Sequence, residues 1–191
     1  MANVGILGGT FDPPHNAHIA MAQTALKKVP LDRVLLMPAL QPPQKKIQNV
    51  TRYGDRVEML RLAIAGHDGL ELSRMEEHRS GPSYTVELLQ EFRATTADEP
   101  FLILGADSVG DLPKWKNPAR ILDLTTLVVF PRTGYSSVLK VDGPASVVLF
   151  ESPVIDISST AVRRFIRAGE SVDDLIPAPV RKFILDNGLY S

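Results

Sequence analysis

Apolar residues along this chain follow two alternating rhythms. Short runs rich in β-branched residues occupy positions 4–7, 34–37, 70–72, 101–104, 127–130 and 147–150, and each has the length of a strand. Between them lie segments with helical spacing. Residues 17–28 form one. Residues 56–65 form a second, with Val57, Leu60 and Ile64 on one face, and residues 85–93 a third, with Val86, Leu89 and Phe92 at i, i+3 and i+6. Residues 159–168 and 179–187 read as two closing helices, the last stopped by Gly188. This alternation predicts an α/β fold: a Rossmann-like doubly wound parallel sheet, covered on both faces, with C-terminal helices. Ligands in such sheets bind beyond the carboxyl ends of the strands. The turn at Gly8 and Gly9, the segment Gly105-Ala106-Asp107 and the stretch after Phe150 are expected there. Residues 38–50 read as a mobile loop with Gln41-Pro42-Pro43-Gln44-Lys45-Lys46 at its tip, and residues 133–145 as a polar connection without evident chemistry.

Composition narrows the picture by exclusion. A length of 191 residues suits a single domain, 1–191, with a sizeable core. A formal net charge of −1 gives no global field toward nucleic acid or membrane, so neither is an expected partner. The chain has no cysteine, which removes disulfides and thiolate metal sites and fits a cytoplasmic protein. No signal peptide is evident, and the strongest apolar runs are far too short to span a bilayer. The sequence leaves the oligomeric state open, and a homo-oligomer is compatible with it.

The stretch Gly8-Gly9-Thr10-Phe11-Asp12-Pro13-Pro14-His15-Asn16-Ala17-His18 carries the densest chemistry. It lies between the first predicted strand and the first predicted helix, where backbone N–H groups are commonly presented to phosphates. Its glycines do not match the G-x-G-x-x-G spacing of dinucleotide-binding dehydrogenases. His15 and His18, three residues apart, share a helix face. Such a pair could contact phosphate, could hold a metal with Asp12 as third ligand, or could be structural. A second constellation is Ile157-Ser158-Ser159-Thr160-Ala161-Val162-Arg163. One hydroxyl would suffice as an N-cap. The surplus hydroxyls, the free N–H groups of a helix start and Arg163 would form a second anion site. Arg164 and Arg167 read as solvated or paired at the surface, His67 and His78 as surface or structural residues, and Glu76, Glu77 and Arg79 as a solvated charge run.

The two motifs together resemble the H-x-G-H nucleotidyltransferase superfamily. The middle of the chain narrows the resemblance. Pro82-Ser83-Tyr84-Thr85, Gly105-Ala106-Asp107-Ser108, Leu112-Pro113-Lys114-Trp115 and the closing Asn187-Gly188-Leu189-Tyr190 look like bacterial nicotinate-nucleotide adenylyltransferases, over nearly the whole chain and in the same order. Two positions depart from the family pattern: Ala17 replaces the glycine between the histidines, and Gln44 replaces a loop histidine.

The resemblance implies transfer of the adenylyl group of ATP to nicotinate mononucleotide, giving deamido-NAD and pyrophosphate, with Mg2+ bound to the ATP. The attacking phosphate is already anionic, so positioning and charge stabilisation suffice. It implies that His18 and His15 contact the α-phosphate region and the triphosphate. Arg163 with Ser158, Ser159 and Thr160 would hold the outer phosphates. Gly8, Gly9, Thr10 and the Phe11 backbone would receive phosphates where the substrates meet. Gly105 and Asp107 would meet the adenosine ribose, which does not exclude a capping role for Asp107. Lys45 and Arg132 would approach the mononucleotide phosphate. Trp115 would stack on the pyridine, and Thr85, at a helix start, would meet the nicotinate carboxylate. Metal ligands from the protein are not expected. Nicotinamide mononucleotide as acceptor, or a non-catalytic nucleotide sensor on the same fold, are the alternatives. Phosphopantetheine or CTP-dependent chemistry would not need a pyridine platform.

Overall fold

A computed structural model describes residues 1–43, 50–131, 147–149 and 157–191, the three residues 147–149 by their backbone. Six parallel strands form one sheet: β1 (Asn3–Gly9), β2 (Arg33–Pro38), β3 (Leu70–Leu72), β4 (Glu99–Gly105), β5 (Thr126–Phe130) and β6 (Val147–Leu149). Their order is β3-β2-β1-β4-β5-β6, so the winding direction reverses between β1 and β4. The helices are α1 (Asn16–Lys28), α2 (Tyr53–Ile64), α3 (Thr85–Thr95), α4 (Ala106–Asp111), α5 (Pro118–Leu124), α6 (Ser159–Ala168) and α7 (Ala178–Asp186). All six predicted strands and all five predicted helices are present. Phe150, the last residue of the sixth predicted strand, lies outside the described residues, as do Lys45, Arg132 and residues 133–145.

Strand residues alternate between two cores, as the pleat requires. Leu7, Leu36, Ile103 and Val128 face one core with α1, α2, α6 and α7. Ile6, Met37, Leu102 and Leu127 face the other with α3, α4 and α5. The predicted apolar face of α3 is buried as Val86, Leu89 and Phe92. The region after Gly105, where no helix was predicted, contains α4, a 3-10 turn (Leu112–Lys114) and α5. These pieces are too short to show helical periodicity. Asn117, at φ 50°, turns the chain into Pro118 at the start of α5.

The sheet itself opens the ligand site. β1 pairs with β4 only from Asn3 to Ile6, opposite Glu99 to Leu102. Beyond that point Leu7, Gly8 and Gly9 pair with β2, while Ile103, Leu104 and Gly105 pair with β5. The two central strands part, and a crevice forms at the reversal point. Close packing below it depends on Gly5. A Cβ there would lie 2.9 Å from Val34 Cγ2, 3.0 Å from Leu31 Cδ1 and 3.1 Å from Ile103 Cδ1. Gly5→Ala is therefore expected to destabilise the fold by about 1–3 kcal/mol, seen as a lower urea midpoint at unchanged m-value.

Candidate active site

Two cavities flank the parted strands. The first, of about 680 Å³, lies between β1, β4 and the N-terminal ends of α1 and α6; Gly8, Gly9, His15, His18, Gly105, Asp107 and Ser158 to Thr160 line it. The second, of about 530 Å³, is lined by Thr10, Tyr84, Thr85, Trp115 and Lys116 among others. Gly8 and Gly9 border both, which makes the glycine turn the place where two ligands would touch. A Cβ at Gly8 would meet no atom within 4 Å. No described residue requires glycine there, so the missing side chain leaves room for a ligand to reach the backbone.

His15 is the N-cap of α1 and is buried, at 5% exposure; His18 occupies the third helical position and is half-buried. The backbone N–H of His15 donates to His18 Nδ1 at 3.2 Å. A nitrogen that accepts this bond is unprotonated, so a neutral His18 carries its proton on Nε2. The two imidazoles stack with centroids 3.6 Å apart, and the Phe11 ring meets His18 edge-on at 4.8 Å. Phe11 is 1% exposed, so its ring supports His18 and only its backbone can face a ligand. Ala17 is buried against the same cavity. The alternative that Asp12 completes a metal site with these histidines does not match its orientation. Its carboxylate is 2% exposed and accepts from Tyr190 Oη at 2.6 Å and from the Thr51 N–H at 3.3 Å. Among the described residues no group of three His, Cys, Asp or Glu could hold a metal ion.

The late motif docks onto the early one. Ser158 Oγ caps α6 by accepting from the Ala161 N–H at 3.2 Å. Ser159 Oγ donates to the Pro13 carbonyl at 2.9 Å, and Arg163 Nη1 donates to the Asp12 carbonyl at 2.6 Å. Thr160 Oγ1 accepts from Arg163 Nη2 at 3.4 Å. Ser159 and Arg163 thus tie α6 to the early motif while Ser158 and Thr160 bond within α6, and the start of α6 points its first turn at the cavity that α1 addresses. Asp107 sits in the first turn of α4. A Cβ on Gly105 would lie 2.5 Å from Asp107 Oδ1, so glycine there leaves space for that carboxylate to fold back at the cavity edge. In the second cavity, Thr85 opens α3 and Trp115 stands half-buried, packed partly on the α3-side core. Lys116 ties the Trp115 segment to α3, donating to Glu87 at 2.6 Å over the face of Tyr84.

Four residues act as supports in a way that the chain alone did not indicate. Arg56 is 1% exposed and donates to the carbonyls of Thr51, Thr10, Ala39 and Leu40 at 2.7–3.3 Å. Burial lowers its pKa, opposed by the nearby Asp12 carboxylate. The signal was present, since Arg56 shares the i, i+4, i+7 stripe with Leu60 and Ala63. Tyr190, held by Asp12, has its phenol pKa raised first by burial and then by that hydrogen bond. Glu76 and Arg79 are not a solvated run. Glu76 is 4% exposed and accepts the Leu40 N–H, and Arg79 is largely buried against Glu91 and Glu87. The 73–85 segment folds back so that Glu76 meets the Leu40 N–H beyond β2 and Arg79 meets α3, which no local pattern encodes. His67 bonds Gln23 at 2.9 Å and His78 is exposed, both away from the two cavities.

A family model described as cytidylyltransferase-like matches residues 6–165. The nicotinate-nucleotide adenylyltransferase of Bacillus subtilis is 37% identical over 191 residues, covering 100% of this chain and 99% of that one. The chain belongs to the nicotinate-nucleotide adenylyltransferase family. Another member, the probable nicotinate-nucleotide adenylyltransferase of Geobacillus thermodenitrificans, is 38% identical across 100% of this chain and 87% of its own. The family fold is shared with the Plasmodium falciparum nicotinic acid mononucleotide adenylyltransferase solved with NaAD. That structure superposes with a TM-score of 0.84 at 20% identity, over 100% of this chain and 98% of the other.

Tyr190 anchors the glycine–histidine loop of this family member to the last residues of the chain. Tyr190→Phe keeps the ring and removes the hydroxyl that Asp12 accepts. A loss of about 1.5–3 kcal/mol is expected, measured by chemical denaturation; a difference within about 0.5 kcal/mol would mean that the bond is not maintained in solution.

Proposed function

We propose that this protein transfers the adenylyl group of ATP to nicotinate mononucleotide, releasing pyrophosphate and forming deamido-NAD. The observation that carries the reading is the pair of cavities joined at Gly8 and Gly9, on a chain that belongs to this enzyme family. A phosphate oxygen of the mononucleotide attacks the α-phosphorus of ATP. A P–O bond forms to that oxygen, the bond to the β-phosphate bridge breaks, and pyrophosphate leaves. The nucleophile is an anion at neutral pH, so no general base is needed.

The chain's work is placement and charge stabilisation. ATP enters the first cavity, with its triphosphate between the starts of α1 and α6. His18 Nε2–H donates to an α-phosphate oxygen as charge develops there, and His15 holds the triphosphate from the same face. Arg163, aimed by Asp12 and Thr160, binds the outer phosphates with the first turn of α6. Asp107 accepts from the adenosine ribose. Magnesium enters with ATP as part of the substrate, carried mainly by phosphate oxygens and water. Nicotinate mononucleotide fills the second cavity, with Thr10 toward its phosphate and Trp115 against its ring. Its carboxylate meets Thr85 at the α3 start, where the helix dipole favours an anion over a neutral amide. Among the described residues no helix is long and apolar enough to cross a membrane, and the reaction is assigned to the cytoplasm.

Pyrophosphate release with MgATP tests the assignment directly. Nicotinate mononucleotide should be used well and nicotinamide mononucleotide poorly. Equal use of both would remove the α3 start as the discriminator, and release with neither would end the reading. His18→Ala should lower kcat by about 10²–10³-fold with ATP binding retained, because its bond strengthens in the transition state. Near-normal turnover would exclude the role given to His18.

A further inference from the structure

The second cavity contains a feature that the reaction as described leaves unused. Among its described lining residues there is one carboxylate, Glu76, and it is 4% exposed. Its Oε2 accepts the Leu40 N–H at 3.1 Å. No hydrogen-bond donor among the described residues reaches Oε1. Arg56, the buried cation of this region, gives its N–H groups to backbone carbonyls instead. The oxygen without a protein donor faces the cavity, and a ligand that displaces water there must replace the lost hydrogen bond to offset the carboxylate's desolvation.

The chemistry of the ligand limits what can supply it. Nicotinate mononucleotide carries a phosphate at one end and a ring carboxylate at the other, and both would be repelled by Glu76 in a partly dehydrated cavity. At neutral pH its hydrogen-bond donors are the two ribose hydroxyls. The phosphate belongs at Gly8 to Thr10 and the ring at Thr85 and Trp115, which leaves the ribose between them. We infer that Glu76 Oε1 accepts a hydrogen bond from a ribose hydroxyl of the mononucleotide, making Glu76 a specificity residue that selects ribonucleotide over deoxyribonucleotide acceptors. The inference rests on the proposed function. The same negative charge disfavours any register in which the phosphate or ring acid slides toward the 39–41 strand end, so it also keeps the attacking phosphate at the glycine turn.

The test compares kcat/KM for nicotinate mononucleotide with its 2′-deoxy and 3′-deoxy analogues, in wild type, Glu76→Ala and Glu76→Gln. A charge-assisted bond predicts a wild-type penalty of about 10- to 100-fold for one of the analogues. In Glu76→Ala the penalty should nearly vanish, through loss of activity on the ribonucleotide alone. Glu76→Gln keeps an acceptor for the Leu40 N–H, so it guards against misfolding of the alanine variant. Its penalty should fall by at least about threefold, since neutral bonds are roughly half as strong. The KM for ATP should not move in either variant, which separates this role from a general weakening of the site. A wild-type enzyme indifferent to both deoxy analogues, or a penalty unchanged in Glu76→Gln, overturns the inference. Failure of wild type to use nicotinate mononucleotide at all would instead overturn the function on which it stands.

Discussion

β1 is hydrogen-bonded to β4 only as far as Ile6, and past that point the backbone on the crevice side has no strand to pair with. Such groups must find water, side chains or a ligand. The parted strand ends floor both cavities, and the helices that follow β1, β4 and the 157–158 segment all begin there. Right-handed βαβ crossovers place helix starts at the carboxyl edge of a parallel sheet. The dipoles of α1 and α6 therefore converge on one volume without any excess of basic residues, and a chain of net charge −1 can still offer a favourable site to a highly charged anion.

Residues 10–15 hold their place in that volume because four side chains from three other parts of the chain grip them. Arg56 of α2 takes the Thr10 carbonyl, Arg163 of α6 takes the Asp12 carbonyl, Ser159 takes the Pro13 carbonyl, and Tyr190 takes the Asp12 carboxylate. Arg163 and the α6 start are thus bonded to the very loop that carries the histidines. For a reaction that needs no proton abstraction, such prior ordering is the main resource, because donors fixed before charge develops need not reorganise when it does.

The elements with strong periodicity were legible in the chain itself. The apolar runs became strands and the spacing of Val86, Leu89 and Phe92 became the buried face of α3. The motif residues His15, His18, Asp107, Ser158 to Thr160, Thr85 and Trp115 all line one cavity or the other. The short helices after Gly105 were not legible, because six or seven residues hold too few turns to show a period. Arg56 was legible only as a member of a buried stripe, and Glu76 and Tyr190 were not legible as supports, because the bonds that give them that role reach segments far away in sequence.

What the sequence determined by itself is local: strand and helix periods, the glycine turn, two hydroxyl- and histidine-bearing helix starts, and the family pattern that joins them. These follow from short-range geometry, in which side-chain direction repeats every two or 3.6 residues. What only the tertiary structure decided is which groups are dry and what they face. Ser159 is turned to the Pro13 carbonyl, Asp12 away from the histidines toward Tyr190, and Glu76 into a cavity rather than into solvent. Burial and partnership arise only when distant segments close over one another, so the same aspartate or glutamate reads identically in the chain whether it ends in water or in the wall of a binding site.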